Sequence, residues 1–125
     1  MFLLWKNHHF FQIDSYSAFY DNGGFTETDL NDRLNQLEVD TVYITGLALD
    51  FCVFYSAMDA KHLGFQTFVV QDATRGITPD GVAEALEQMK SNDITIIQST
   101  QISQGSDKIR MHFSLLLLPL LMSKI

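Results

Sequence analysis

Cys52 is the only cysteine in the chain, and the chemistry open to it depends on where the chain holds it. The segment Gly46-Leu-Ala-Leu-Asp-Phe-Cys52-Val53 runs from a β-branched stretch, Thr41 to Thr45, straight into residues with helical spacing. Cys52 therefore falls in the first turn of a helix. Backbone N–H groups there lack intrahelical acceptors, and the positive end of the macrodipole favours thiolate over thiol. A thiolate so placed can attack a carbonyl carbon while nearby N–H groups stabilise the oxyanion that forms. Asp50 is expected to cap the same helix through its side chain. Position alone does not decide the matter. A lone cysteine also fits as a small buried hydrophobe, and spacing leaves both readings open.

Other reactive side chains are placed less tellingly. His8 and His9 are adjacent, so on a strand they point to opposite faces, and no carboxylate stands at ligand spacing beside them. A structural role is expected for both. His62 falls late in a helix, near the carbonyls of its C-terminal end. The formal net charge of −7, with no local cluster of Lys and Arg, argues against a nucleic-acid partner.

A single thiol forms no intramolecular disulfide, which fits a reducing, cytoplasmic setting. The N-terminal MFLLWKNHHFF lacks the long apolar stretch and small-residue cleavage site of a signal peptide. Phe113 to Met122 is the most apolar run, but it is ten residues long and contains Pro119. A bilayer span takes about 20 apolar residues. The run is expected to form a buried strand or docking tail, and no membrane segment is expected.

The elements that must position Cys52 follow from alternating periods. Leu30, Leu34 and Leu37 mark one face of a helix, with Thr26 or Thr28 as its N-cap. Thr41 to Thr45 reads as a strand ending at Gly46. Residues 51 to 63 read as a helix with Phe51, Phe54, Tyr55 and Met58 on its apolar side and Gly64 as the C′ residue. Thr67 to Val70 is a second strand. Thr78 and Pro79 supply an N-cap and a first-turn proline, and Val82, Ala85, Leu86 and Met89 form the stripe of a third helix. Ile94 to Ile97 is a third strand. Strands starting at 41, 67 and 94 are about one βα unit apart, which predicts an α/β fold: a three-layer sandwich around a parallel sheet covered on both faces, with right-handed crossovers. One domain is expected for 125 residues. Chemistry in such sheets gathers beyond the carboxyl ends of the strands, here after Thr45 and Val70.

Three stretches carry a family resemblance. GLALDFCVFYSAMDAKHLGF, from Gly46 to Phe65, resembles the nucleophile segment of the nicotinamidases, written roughly G-L-A-T-D-Y-C-V-x-x-T-A-x-D-A, within the isochorismatase-like cysteine hydrolases. Asp14 to Asn22 (DSYSAFYDN) looks like that family's D-S-Y-S-A-F-x-D-N stretch, and Gln71 to Gly76 (QDATRG) is similar to its D-A-C-R-G signature. The match covers about residues 13 to 98. Residues 1–12 and 104–125 diverge.

The resemblance implies hydrolysis of nicotinamide to nicotinic acid and ammonia in NAD salvage, with Cys52 as nucleophile forming an acyl-enzyme. It implies a cis peptide between Leu47 and Ala48, and an oxyanion hole made by the N–H groups of Ala48 and Cys52. Tyr16 would line the nicotinamide pocket, Phe51 would face the substrate, and the Cys52 sulfur would face a cavity that Tyr16 helps to wall. Arg75 would hold a loop through an ion pair. The family also uses an aspartate, a lysine and a divalent metal, zinc, from earlier strands. The aspartate and the metal ligands have no counterpart in this sequence, so the expected domain is truncated on its N-terminal side and holds no metal. Lys6 is the candidate lysine, one residue out of register and followed by Asn7 where the family has glycine. Two rival readings remain: an inactive fragment that acts by associating with another subunit, and a different isochorismatase-like hydrolase. Nicotinamide is the expected small-molecule substrate, and the reading leaves room for a homo-oligomer.

Overall fold

The computed structural model describes residues 15–102. Lys6, His8, His9, Asp14 and the Phe113–Met122 run lie outside the described residues. Three strands form a parallel sheet in the order β1-β2-β3: β1 (Thr41–Leu47), β2 (Gln66–Arg75) and β3 (Thr95–Ile97). Thr41 pairs with Gln66 and Ile44 with Val69, while Val69 pairs with Ile96. Past Ile44 the register breaks, and Gly46 next pairs with Thr74. Gly46 has φ +107°, a left-handed conformation natural only to glycine. β2 thus advances five residues while β1 advances two, so β2 carries the irregularity at the end of the sheet where Cys52 is presented.

Helix α1 (Leu30–Gln36) precedes the sheet, α2 (Phe54–His62) joins β1 to β2, and α3 (Pro79–Ser91) joins β2 to β3. Sequential strand order with right-handed crossovers puts both connecting helices on one face. The main core agrees: Leu49, Val53 and Ala57 meet Ala85 and Met89 over Val69, with Ile44 and Ile96 beside them. A second cluster of Phe19, Ala60 and Phe65 receives Leu30, Leu34 and Val42. Of the expected three layers, the described residues show the sheet and this α2–α3 layer. On the far face Tyr43 stacks on Phe68, centroids 4.9 Å apart, and Val70 and Ile97 are buried.

Local signals placed α3 and the end of α2 well. The Thr78 hydroxyl accepts from the Gly81 N–H at 3.1 Å, Pro79 opens the helix, and Ala85 and Met89 are buried. Gly64, at φ +96°, closes α2: its N–H reaches Lys61 O and that of Phe65 reaches Ala60 O, a Schellman ending. Two expectations need correction. The α1 stripe stops at Leu34, because Leu37 is the C-cap and 73% exposed, and Asp29 takes the N-cap position. Thr28 instead offers its hydroxyl to the Leu30 N–H at 3.3 Å. Helix α2 buries Ser56, Ala57 and Ala60, with Phe54 and Met58 packed partly against the core and Tyr55 exposed. Small side chains let its backbone lie close to the sheet, which turns the Tyr55 ring outward. No helix among the described residues is long and apolar enough to cross a membrane.

Candidate active site

Between β1 and α2 the chain makes one π-helical turn, Leu49–Val53, after a cis peptide at Leu47–Ala48. Ala48 is extended (φ −97°, ψ 146°) and occupies the N-cap position, where its methyl group can accept nothing. Its carbonyl receives the Val53 N–H at 3.0 Å, five residues on, and the Phe51 N–H at 3.1 Å. Leu49 and Val53 are buried in the main core and anchor the inner side of the turn. Cys52 is partly buried in that turn, at the carboxyl end of β1. Single-turn π geometry of this kind recurs at functional sites.

Tyr16 arrives from elsewhere in the chain. The Ala18 N–H bonds the Ser56 hydroxyl on α2 at 3.0 Å, and the Tyr16 N–H bonds the Asn22 carboxamide oxygen at 2.8 Å. These ties set the Tyr16 ring 5.7 Å from Phe51 and 5.8 Å from Tyr55, nearly parallel to the latter. Phe51 and Tyr55 flank Cys52 in sequence, and both are exposed, at 38% and 45%. The aromatic group beside the thiol therefore has three members. The family resemblance pointed to Tyr16 and Phe51, and nothing in the helical spacing singled out Tyr55 for a site. The Ser56 latch had no local signal either, since its partner lies 38 residues away.

Tyr55 lines two hollows. Tyr16 does wall one, of about 630 Å³, with Tyr20, Asp21, Tyr55, Asp59 and His62. Cys52 is not among the residues that line it. A second depression of about 430 Å³ runs past Asp50, Phe51 and Ile77 on the α3 side, again without Cys52. His62, expected near terminal carbonyls, forms part of the first cavity's wall.

Asp50 also departs from its expected role. No side chain caps the π-helical turn. The Asp50 carboxylate instead accepts from the Ile77 N–H at 2.9 Å and from the Thr78 N–H at 3.2 Å. A turn that leads directly into α3 offers two converging N–H donors, and they compete successfully for the carboxylate. Partial desolvation pushes the Asp50 pKa up, but these N–H groups outweigh it and hold the group below its ordinary value. Nearby, Asp72 accepts from both the hydroxyl and the N–H of Ser99, at 2.6 and 2.8 Å, and these bonds depress its pKa. Arg75 holds its loop by donating to the carbonyls of Thr74 and Asp72. Among the described residues no group of three His, Cys, Asp or Glu side chains is placed to hold a metal ion.

Comparison with known proteins agrees with this geometry. Residues 4–101 match the isochorismatase domain. The nicotinamidase of Escherichia coli K12 is 40% identical over 86 residues, which are 67% of this chain and 40% of that protein. Among solved structures, the Acinetobacter baumanii nicotinamidase–pyrazinamidase superposes with a TM-score of 0.69 at 44% identity, covering 72% of this chain and 44% of that one. The yeast nicotinamidase Pnc1p bound to the inhibitor nicotinaldehyde gives 0.66 at 36% identity, covering 70% and 41%. The pyrazinamidase of Pyrococcus horikoshii in complex with zinc gives 0.61 at 40% identity, covering 70% and 45%. The chain spans less than half the length of the curated relatives it matches.

Proposed function

The chain belongs to the isochorismatase family, and from that premise we propose that it carries the nucleophile turn of an enzyme that hydrolyses nicotinamide to nicotinic acid and ammonia. The observation that carries the reading is Cys52 in an uncapped turn at the carboxyl end of a parallel strand, beside exposed aromatic rings. In this reading the Cys52 sulfur attacks the amide carbon of nicotinamide. The carbonyl π electrons move onto oxygen, and the N–H groups of Ala48 and Cys52 stabilise that oxyanion. The oxyanion collapses, the C–N bond breaks, and the amine leaves as ammonia with the proton given up by the thiol. Water then attacks the thioester carbon, releasing nicotinic acid and regenerating the thiol. Tyr16 and Phe51 hold the flat pyridine ring by stacking.

Lys6 is carried in the reading as the candidate third member of the proton path, and it lies outside the described residues. The zinc of the Pyrococcus relative finds no fitting donor set among the described residues, so no step is routed through a metal. One observation favours the rival association reading: Leu47, Phe51, Tyr55 and Ile77 are all exposed around the turn, at 62, 38, 45 and 68%. Apolar surface of that kind suits cover by further polypeptide.

The test uses the lone thiol as its own reporter. Nicotinaldehyde, a carbonyl analogue of the amide, is expected to slow alkylation of Cys52 by iodoacetamide, and benzaldehyde at equal concentration is expected to do so much less. Equal protection by both, or by neither, would remove nicotinamide as the substrate class. Ammonia release from nicotinamide by the same preparation then separates a working enzyme from a binding-competent fragment.

A further inference from the structure

Asp50 joins the Cys52 turn to a segment 27 residues away, and nothing in the chemistry above uses that bridge. The turn is held on its inner side by Leu49 and Val53, buried at 2% and 3% exposure. No side chain caps it from within. Its α3 side is tied through the Asp50 carboxylate, which accepts from Ile77 and Thr78. The loop is shaped to take that carboxylate. A Cβ built on Gly81 would lie 2.7 Å from Thr78 Oγ1 and 2.9 Å from Asp50 Oδ2, and one on Gly76 would lie 2.0 Å from Val82 Cγ2 and 3.0 Å from Asp50 Oδ1. Glycine at both positions leaves a slot that any larger residue would close.

We propose that Asp50 is a positioning residue for the Cys52 thiol: its carboxylate, seated between Gly76 and Gly81 on the Ile77 and Thr78 N–H groups, fixes the turn against the start of α3. The inference rests on Cys52 being the reacting group, and extends that reading to what determines where the thiol stands. The carboxylate does not touch substrate. It acts through the backbone of the turn, two residues along the chain from the nucleophile. Charge-assisted bonds of this kind are each worth more than their neutral counterparts, so removing both is expected to open the turn about tenfold more often.

The experiment measures amide hydrogen exchange at Ile77, Thr78 and Cys52 in the full 125-residue chain, each as a ratio to exchange at Met89 in the core. Met89 reports global unfolding, so a rise in the ratio reports local opening over and above it. Alkylation of Cys52 by iodoacetamide, on the same footing, gives a second reading. Asp50→Ala is expected to raise all four ratios about tenfold. Asp50→Asn, which keeps one acceptor oxygen, should restore part of the protection. Gly81→Ala, whose Cβ crowds the Asp50 carboxylate and the Thr78 hydroxyl together, should move the ratios in the same direction as Asp50→Ala, whereas Thr78→Ala, which loses the hydroxyl alone, should leave the Cys52 alkylation ratio unchanged. Leu34→Ala, remote from the bridge in the second cluster, should lower Tm without raising the ratios. Unchanged ratios in Asp50→Ala would overturn the proposal, as would an equal change in Leu34→Ala. If Asp50→Ala fails to fold, Asp50→Asn and Gly81→Ala decide the question between them: raised ratios in both support the bridge, and unchanged ratios in both overturn it. No nicotinamide compound enters these measurements. A chain that ignores nicotinaldehyde therefore removes the functional reading and leaves the Asp50 assignment to stand or fall on its own ratios.

Discussion

Two strand-to-helix junctions follow one another in this sheet and are built on opposite plans. At the end of β2, Thr78 caps α3 with its own hydroxyl and Pro79 fills the first helical position. That junction is stabilised by residues within three positions of one another. At the end of β1, the N-cap is an alanine, the first turn is π-helical, and the only carboxylate in the turn reaches across to the other junction. The ordinary junction caps its helix from within, and its remaining Ile77 and Thr78 N–H groups are met by Asp50. The one carrying Cys52 keeps its N-cap side chain out of the way and borrows its rigidity from its neighbour. A helix start meant to receive a ligand's oxyanion has reason to be left without a side-chain acceptor, and a long-range tie is how such a start can still be held.

Four changes test that contrast, beginning with the most severe. Cys52→Ala should abolish both iodoacetamide labelling and, in any preparation that turns over nicotinamide, ammonia release, a loss of about 10⁴-fold or more, with the fold intact by circular dichroism. Retained turnover would place the chemistry outside the first junction. Ala48→Asp gives that junction the side-chain acceptor it lacks. The new carboxylate should raise thermal stability by up to about 1 kcal/mol while turnover falls about 100-fold, since its negative charge would repel the oxyanion proposed to form beside it. A variant with unchanged kcat would show that Ala48 is at the N-cap for packing alone.

Thr78→Ala removes the ordinary cap. Denaturant unfolding should show about 1 kcal/mol of lost stability with an unchanged m-value. A loss near zero would mean that α3 is held by Ala85 and Met89 and that its cap is redundant. The mildest effect concerns pH. The folded-state pKa of Asp50 lies below its unfolded value of 3.8, so its contribution to stability is fully present above that value and is lost as pH falls through the folded pKa. A stability profile from pH 7 downward should therefore decline below about pH 4, and Asp50→Asn should flatten part of that decline. Asp72, held low by Ser99, and Asp21, held low by Thr26, contribute in the same direction. Identical profiles for the two proteins would show that the bridge does not depend on the carboxylate charge.

How much was legible differs between the same two junctions. Thr78, Pro79 and the Val82–Met89 stripe announced α3 almost to its limits. The strand beginning at Thr41, the Gly64 ending of α2, the parallel sheet and the strand-to-helix placement of Cys52 were equally readable. The family motifs added the cis peptide at Leu47–Ala48, which no periodicity could have shown. The destination of Asp50 and the place of Tyr55 beside Tyr16 were not readable.

The division has a physical cause. Strand propensity, capping and glycine at positive φ are decided by residues within a turn of one another, so the sequence by itself determined the order of elements and put a cysteine at the start of a helix. Which face of α2 is buried depends on how closely its backbone can approach a sheet assembled from distant segments, and Ser56, Ala57 and Ala60 allow the closer approach. Asp50 could have accepted from its own turn. Only when the tertiary structure brought Ile77 and Thr78 within 3.2 Å did two stronger donors present themselves, and the carboxylate went to them.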